Sequence, residues 1–288
     1  MNHLPVVISG AGPVGLVLAM RLGHMGIACT VLESAPELVR GLRASTFHPP
    51  TLDMLDEHGI TAGLIAAGLI APTWQVRMHT TGQFAEFDLS VLKGETAHPY
   101  RLQCEQWRLS ELLLAHIQTN LPHVQVHWGC PLIGFSQKDS LVKVQYQTPD
   151  GQLNQLDASF LVGADGGHST VRKQLNLAFD GLTFPETTIL ATTRFPFHAH
   201  LRELSYINYC WSESGTFSLL RLRDLWRVSL YQDEGESIEE ATSPAAVQQK
   251  MQRIWPRNEA YDVLEIRPYR IHQRVVKQYV TGRVVLVG

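Results

Sequence analysis

The sequence predicts an α/β fold in which a domain with a parallel sheet is joined to a domain with a large antiparallel sheet. Three observations predict it. A short apolar strand at 5–8 runs directly into a glycine-rich turn and an amphipathic helix. The continuous apolar run at 160–163 is typical of a strand buried on both faces of a parallel sheet. Between 187 and 231 one strand pattern follows another, which favours an antiparallel sheet.

The composition is that of a soluble globular protein, because 44% of its 288 residues are hydrophobic and 18% are charged. A net charge of −3, with Lys and Arg scattered along the chain, predicts no nucleic-acid partner. No apolar run is long enough to cross a bilayer, so we expect no membrane anchor. The four cysteines show no paired spacing, and the chain starts almost directly on a buried-type strand; both features predict a cytoplasmic protein with reduced thiols.

The first turn reads Gly10-Ala11-Gly12-Pro13-Val14-Gly15. Gly10 allows the tight turn, Gly12 lets a pyrophosphate approach the backbone, and Gly15 lets the helix pack closely on the strand. The free N–H groups of the first helical turn attract phosphate, so this unit predicts a Rossmann-like dinucleotide site. The helical spacing predicts that one face is buried, formed by Val14, Val17, Leu18, Leu22 and Met25.

A second predicted strand, at 28–32, ends in Glu33, eighteen residues after Gly15. A carboxylate at this position can accept hydrogen bonds from both ribose hydroxyls of an adenosine. Because it also disfavours a 2′-phosphate, it indicates FAD or NAD rather than NADP. The alternative is a solvated glutamate that opens a loop.

Further elements follow from local patterns. We predict a short helix from Thr51 that ends at Gly59, a hairpin over 74–87 with a Thr81-Gly82 turn, and a helix over 103–119. Strands between 124 and 157 predict an antiparallel meander. The segments 247–255 and 261–269 predict a helix and a strand.

Several motifs together resemble the flavin-dependent aromatic hydroxylases, the p-hydroxybenzoate hydroxylase type of FAD monooxygenase. The resemblance covers essentially all 288 residues. It implies a discontinuous FAD-binding domain at 1–73, 98–178 and 279–288, and a substrate domain at 74–97 and 179–278. The motifs are the turn Gly10 to Gly15 with Glu33, Arg43, the segment 103–108, Gly163-Ala164-Asp165-Gly166 and the segment 282–288.

The resemblance also implies roles for single residues. Gln103 matches the glutamine that contacts the flavin side of FAD, and Arg43 matches the arginine near the cofactor. Asp165 and Gly166 match a second fingerprint, associated with both FAD and the pyridine nucleotide. Simpler alternatives stand beside these roles: a polar helix start for Gln103, an exposed loop for Arg43, and a helix cap for Asp165.

In the chemistry that the resemblance implies, NADH or NADPH reduces FAD, dioxygen adds at flavin carbon 4a, and the hydroperoxide hydroxylates a small phenol-like ring. The sheet over 187–231 is expected to cover the flavin. Tyr206, Asn208 and Cys210 share one face and are our candidates for pocket lining, with core or surface packing as the alternative. His198 and His200 share a predicted strand face, but no third ligand accompanies them, so no metal site is predicted.

The family pattern continues beyond Gly288 with an aspartate that binds the ribityl chain. We therefore expect a chain truncated before this Gly-Asp motif, with weakened FAD binding. Three functions stay open: an aromatic monooxygenase, a flavin dehydrogenase or reductase of the same fold, and an inactive nucleotide-binding fragment. The aromatic substrate, the choice between NADH and NADPH, and a homodimer also stay open.

Overall fold

A computed structural model describes residues 4–41, 44–138 and 140–288. The chain divides into two compact units. Unit 1 comprises Met1–Arg43, Gln106–Asp180 and Arg274–Gly288, and unit 2 comprises Ala44–Glu105 and Gly181–Gln273. Residues 44–73 and 98–105, which the resemblance assigns to the FAD-binding domain, lie in unit 2.

The chain contains runs of consecutive strands as well as helices. The helices are α1 (Pro13–His24), α2 (Pro49–Asp56), α3 (Thr61–Ala67), α4 (Gln106–Asn120), α5 (Thr170–Gln174), α6 (Phe197–His200), α7 (Ile238–Ala241) and α8 (Pro244–Ile254), with one 3₁₀ turn at Leu89–Leu92. The strands are β1 (Val6–Ser9), β2 (Cys29–Leu32), β3 (Thr46–Phe47), β4 (Leu69–Ala71), β5 (Thr73–Met78), β6 (Phe84–Asp88), β7 (Arg101–Gln103), β8 (Val124–His127), β9 (Leu132–Gln137), β10 (Val142–Gln147), β11 (Leu153–Ala158), β12 (Phe160–Gly163), β13 (Asp180–Thr193), β14 (Ile207–Ser212), β15 (Gly215–Arg221), β16 (Trp226–Tyr231), β17 (Val263–Val275), β18 (Val280–Thr281) and β19 (Val284–Leu286).

Unit 1 contains the predicted parallel sheet, in the order β18-β19-β12-β1-β2-β8. Strand β1 lies between β12 and β2 and pairs with both in parallel. Its apolar residues Val6, Val7 and Ile8 are buried, as expected for a strand covered on both faces. The strands β9, β10 and β11 form an antiparallel meander as predicted, but β8, which was expected to be its first strand, pairs in parallel with β2 instead. The predicted fold class is therefore confirmed for this unit.

Helix α1 has the predicted position, but its predicted buried face is wrong. Val14 and Met25 are exposed, whereas the buried positions are Gly15, Leu16, Ala19, Met20 and Gly23. The reason is close packing. A Cβ on Gly23 would lie 2.8 Å from Val124 Cγ2 and 2.9 Å from Leu121 Cδ1. Small residues therefore decide which face approaches the sheet, and apolar spacing alone points to the wrong side.

One predicted helix boundary is also wrong. The helix predicted from residue 103 begins at Gln106, because Arg101–Gln103 pairs as a strand with both β3 and β4. Strand pairing between distant segments overrides local periodicity at this site. The short helix predicted to end at Gly59 is present as α2, which begins at Pro49 and is closed by a turn at Gly59, whose φ is +71°; α3 follows.

Unit 2 contains the predicted large sheet, in the order β17-β13-β16-β15-β14-β5-β6. Its described pairings are antiparallel, except that β14 and β5 run parallel. The hairpin of β5 and β6 confirms the predicted turn at Thr81-Gly82. Apolar side chains of β13–β16 pack against side chains of α7 and α8 in one buried cluster, including Trp226, Val228, Val247 and Met251.

A buried lysine joins α8 to the loop after β16. Lys250 is only 5% exposed, and its Nζ donates to Asp233 Oδ2 at 2.8 Å and to Glu236 Oε2 at 2.7 Å. Arg253 binds the same Asp233 through both terminal nitrogens, at 2.8 and 3.0 Å. Two carboxylates therefore neutralise the buried ammonium and accept two of its three N–H donors, which offsets the cost of burying the charge.

This network predicts a pH dependence of stability. Hydrogen bonds from Arg253 and Lys250 lower the pKa of Asp233 from 3.8 to about 2. A lowered pKa in the folded state means that the carboxylate stabilises the fold above its unfolded pKa, and that this contribution is lost as pH falls from about 4 to about 2. Because Asp233 is partly exposed, we expect its ionised form to contribute about 1 kcal/mol to the free energy of unfolding, which corresponds to roughly 2–4 °C in Tm.

The measurement is Tm against pH for the wild type and Asp233→Asn, with the exposed Asp224→Asn as control. The difference in Tm between the wild type and Asp233→Asn should be largest at pH 6 and should close by pH 2. A gap that persists undiminished at pH 2 would contradict the assignment.

Candidate functional site

The carboxyl ends of three neighbouring parallel strands meet at one edge of the unit 1 sheet. Gly10 follows β1, Glu33 follows β2, and Ala164 with Asp165 follows β12. Ligands of open α/β sheets bind at this edge. A cavity of about 610 Å³ opens there, within the size range of small-molecule sites. Of the predicted residues, Gly10, Gly12, Pro13, Val14, Glu33, Asp165 and Gly166 line it.

The glycine-rich turn has the geometry that its sequence predicts. Gly10 has a φ of +107°, and a Cβ there would lie 2.5 Å from the Ala164 carbonyl oxygen. A Cβ on Gly15 would lie only 2.0 Å from the Gly10 carbonyl oxygen. A Cβ on Gly12 would have no atom of the chain within 4 Å, although this residue lines the cavity. Gly10 and Gly15 therefore serve chain packing, whereas Gly12 keeps space open in the cavity.

Helix α1 begins at this opening without a side-chain cap. Gly12 occupies the N-cap position with extended backbone, and Pro13 follows as the first helical residue. The N–H groups of a first helical turn have no partners inside the helix, and here no side chain supplies one at the cap. Together with the helix dipole, these donors favour an anion such as a diphosphate.

Glu33 is held by the loop that it faces. Its Oε2 accepts from the Ala11 N–H at 2.7 Å, and its Oε1 accepts from the Ala35 N–H at 2.9 Å and from Ser34 Oγ at 3.1 Å. A carboxylate has about four acceptor positions, so one remains for a ligand. The bond to Ala11 N–H links the end of β2 to the glycine turn. The glutamate is thus an ordered part of the cavity wall rather than a solvated loop residue.

Asp165 combines the capping alternative with a free acceptor atom. Its Oδ2 accepts from the N–H groups of Thr170 at 2.7 Å and Val171 at 3.2 Å, so it holds the start of α5. Its Oδ1 is buried and has no hydrogen-bond partner among the described residues. A buried oxygen without a partner costs about 1–3 kcal/mol unless a ligand or water supplies a donor. Gly166, with a φ of +75°, completes the turn.

These features fit the phosphate and ribose half of a dinucleotide such as FAD. The cavity provides uncapped N–H groups at a helix start, open space at Gly12 and acceptor atoms on Glu33 and Asp165. Backbone N–H donors of this kind suit a diphosphate, and carboxylate acceptors suit ribose hydroxyl groups.

The structure places Gln103 in the other unit. It lies on β7 and is completely buried; its Oε1 accepts from Thr46 Oγ1 at 2.5 Å. Its Nε2 has no partner among the described residues, which leaves two donors available. The alternative of a polar helix start is wrong, because α4 begins at Gln106. Arg43 lies outside the described residues.

Asn208 and Cys210 take the places that strand alternation predicts, whereas Tyr206 lies just before β14 and is half-buried. Asn208 and Cys210 are buried on one face of β14, and Tyr209 and Trp211 are exposed on the other. The Asn208 amide donates to the carbonyl oxygens of Ser205 at 2.6 Å and Leu219 at 3.2 Å. Cys210 belongs to the apolar cluster under α8. For Cys210 the structure therefore shows the core packing that was the alternative to pocket lining.

The cysteines give a direct prediction. Burial raises the pKa of the Cys210 thiol to about 12 and that of Cys29 to about 11, and it also raises the pKa of Cys130. Because the thiolate is the reactive form, we expect very slow labelling of the native chain by a disulfide reagent at pH 8. All four thiols should react in denaturant. Rapid native labelling would contradict this burial.

The expected strand at His198 and His200 is wrong, because these residues form the short helix α6. The aromatic-rich sequence at 195–200 packs into the unit 2 core, where Phe197 is fully buried. Within 4–41, 44–138 and 140–288, no group of three or more His, Cys, Asp or Glu residues could hold a metal.

The sequence pattern missed several cavity residues. Trp107 and Ser110 reach the cavity from the start of α4, Trp128 from the end of β8, and His168 from the turn before α5. Trp128 stands at the end of a predicted strand, but that strand was assigned to the antiparallel meander and not to the parallel sheet, so its position was missed. The other three depend on how α4 and the turn lie against the sheet.

The model of one protein family, described as an FAD binding domain, matches residues 3–288. The chain belongs to the FAD-binding domain family. The expected relationship to flavin-dependent aromatic hydroxylases, an enzyme family, is confirmed by its relatives. Para-nitrophenol 4-monooxygenase of Pseudomonas sp. strain WBC-3 is 32% identical over 98% of the chain and 70% of its own length. The 6-hydroxy-3-succinoylpyridine 3-monooxygenase of Pseudomonas putida is 32% identical over 98% of the chain and 71% of its own length.

Solved structures of monooxygenases have the same fold. The p-nitrophenol 4-monooxygenase PnpA from Pseudomonas putida DLL-E4 superposes with a TM-score of 0.91 at 30% identity, covering 100% of this chain and 73% of PnpA. The flavin-dependent monooxygenase PieE, solved with FAD and substrate, superposes with a TM-score of 0.87 at 19% identity. The match covers 99% of this chain and 52% of PieE. The likeness to PieE shows the fold alone. No helix in the described part of the chain is long and apolar enough to span a membrane.

Proposed function

We propose that unit 1 binds FAD and that the protein is an FAD-dependent monooxygenase which hydroxylates a small phenol-like ring. The observation that carries the proposal is the cavity at the start of α1, with Gly12 open and Asp165 Oδ1 without a partner. When bound, FAD supplies the redox chemistry: electrons from NADH or NADPH activate dioxygen, one oxygen atom enters the ring, and the other leaves as water.

The residues of unit 1 would hold the cofactor. The first-turn N–H groups of α1 bind the diphosphate, and the remaining acceptor position of Glu33 binds a ribose hydroxyl. Asp165 keeps α5 in place through Oδ2 and offers Oδ1 to a donor of the cofactor. None of these contacts forms or breaks a bond of the substrate, so they bind and orient.

The second unit would supply the substrate domain. The unused Nε2 of Gln103 supports the role that the resemblance implies for this residue, a donor to the flavin side of FAD. Asn208 Oδ1 is buried without a partner among the described residues, which supports Asn208 and neighbouring Tyr206 as lining of a substrate pocket. Cys210 lies in the buried apolar core, so we do not propose that it lines the substrate pocket.

The named substrates of two relatives narrow the substrate class that we propose. One relative acts on p-nitrophenol and another on a hydroxylated succinoylpyridine. We therefore propose a hydroxylated ring that carries an electron-withdrawing group, and p-nitrophenol is the first compound to test. A cytoplasmic location remains a prediction from the sequence, and a homodimer remains open.

The test uses the full chain reconstituted with FAD. Bound flavin is measured by absorbance after desalting, and NADH and NADPH consumption is followed with and without p-nitrophenol. Mass spectrometry with isotopically labelled dioxygen then shows whether an oxygen atom enters the product. Labelled product supports the monooxygenase. NAD(P)H consumption without ring oxygenation indicates a flavin dehydrogenase or reductase. Absence of both bound flavin and NAD(P)H oxidation indicates an inactive nucleotide-binding fragment.

A further inference from the structure

Trp128 places a large aromatic ring on the cavity wall of unit 1. The residue is half-buried and stands directly after β8. In the described part of the chain, its indole has no stacked ring and no cation over it. Trp107, the other tryptophan on the cavity wall, has the Arg108 guanidinium over its ring at 4.7 Å. Trp128 therefore offers the cavity an aromatic face that no side chain has taken.

The backbone fixes Trp128 beside Glu33. Strand β8 pairs in parallel with β2, and the Glu33 N–H donates to the His127 carbonyl oxygen at 2.9 Å. On the other side of the tryptophan, the Gly129 N–H donates to the Ala35 carbonyl oxygen at 2.7 Å. Because these two hydrogen bonds flank Trp128, the indole is anchored to the same loop that places the Glu33 carboxylate.

The order of the strands at this edge matches the order of the groups in a nucleotide. Strands β1, β2 and β8 are consecutive neighbours, and their carboxyl ends carry the glycine turn, Glu33 and Trp128. Neighbouring strands are ~4.8 Å apart, so Trp128 stands one strand beyond Glu33. In a nucleotide the ribose lies between the phosphates and the base. A diphosphate at the start of α1 and a ribose at Glu33 therefore bring the base to Trp128.

We propose that Trp128 is the stacking platform for the adenine ring of the cofactor, an inference that rests on the proposed binding of FAD by unit 1. An indole face stacks on a nucleobase and has no hydrogen bond to offer a phosphate from that face. Pro131 and Leu132, which also line the cavity, add apolar surface. The site therefore recognises the adenosine diphosphate half of FAD, so ADP alone binds it and competes with FAD.

Titration of the full chain with ADP, without added FAD, tests this contact through affinity and tryptophan fluorescence. ADP should quench the emission of the wild type. Trp128→Ala should weaken ADP and FAD binding roughly 5- to 150-fold, the equivalent of about 1–3 kcal/mol per stacked base. Trp128→Phe keeps a stacking ring, so it should retain most of the ADP affinity while it loses the quench. Wild-type ADP affinity in Trp128→Ala, a full quench in Trp128→Phe, or no ADP binding by the wild type would each overturn the proposal.

Two further tryptophan variants serve as controls. Trp107→Phe removes the other cavity tryptophan and should keep the quench, because its ring already packs against Arg108. Loss of the quench in this variant would overturn the assignment to Trp128. Trp211→Phe removes an exposed tryptophan of unit 2 and should change neither the quench nor the ADP affinity. If circular dichroism shows that Trp128→Ala does not fold, the fluorescence of Trp128→Phe decides the question.

The outcomes separate this inference from the proposed activity. A wild type that binds ADP through Trp128 but oxygenates no ring overturns the monooxygenase proposal and leaves the adenine contact standing. A wild type that oxygenates p-nitrophenol, combined with equal FAD affinity in a folded Trp128→Ala chain, overturns the adenine contact alone.

Discussion

Replacing Gly12 with alanine is expected to weaken FAD binding roughly 5- to 150-fold while the chain still folds. The new Cβ meets no atom of the chain within 4 Å, and a φ of −69° suits alanine, so the cost to stability is about 1 kcal/mol or less. The Cβ would instead stand where the diphosphate approaches the backbone. Forcing one methyl into a close contact costs about 1–3 kcal/mol, which gives the stated range.

Gly15→Ala is the matched comparison, because it adds the same methyl group three residues away. Its Cβ would lie 2.0 Å from the Gly10 carbonyl oxygen, so α1 and β1 must move apart. We expect a loss of about 1–3 kcal/mol in the free energy of unfolding. FAD affinity is measured by flavin fluorescence titration, and stability by denaturant unfolding.

The two variants should therefore separate binding from folding. Wild-type FAD affinity in a folded Gly12→Ala chain would show that no diphosphate lies against this turn. It would remove the main support for the cofactor site.

Replacing Glu33 with alanine is also expected to lower FAD affinity strongly, and to lower Tm. It removes the acceptor of the Ala11 and Ala35 N–H groups, and also the acceptor proposed for the ribose. Loss of one hydrogen bond to a charged group costs about 1.5–3 kcal/mol, so FAD affinity should fall roughly 10- to 150-fold. Because the glycine turn also loses its link to β2, Tm should fall by several degrees, about 2–4 °C per kcal/mol lost.

Glu33→Gln and Glu95→Ala serve as controls. Glutamine keeps one acceptor oxygen but turns an NH₂ group toward one of the two backbone donors, so an intermediate affinity is expected. Glu95 is exposed and lies in unit 2, and its removal should change neither FAD affinity nor Tm. Equal FAD affinity in wild type and Glu33→Ala would limit this residue to holding the turn.

Local sequence was sufficient to predict an element where the conformation depends on one short segment. The turn from Gly10 to Gly15, the strand at 160–163 and the hairpin around Gly82 each occur where their residues predict. In these places glycine conformation and apolar runs leave few alternatives. The cavity residues predicted from the two fingerprints, Glu33 and Asp165 among them, also come together at one sheet edge.

Other features depended on partners distant in sequence. Gln103 is on a strand because β3 and β4 pair with it, and the buried face of α1 follows Gly23 because Val124 and Leu121 approach there. The pairing of His24 with His116 across 92 residues has no local signal.

The sequence by itself determined the class of fold, the nucleotide turn and the family. Only the tertiary structure decided which helix face is buried, which strand holds Gln103 and which side chains meet on the surface. The physical reason is that backbone preferences and short apolar periods act over a few residues. Close packing and hydrogen-bond pairing instead depend on which distant atoms the fold brings within a few ångströms.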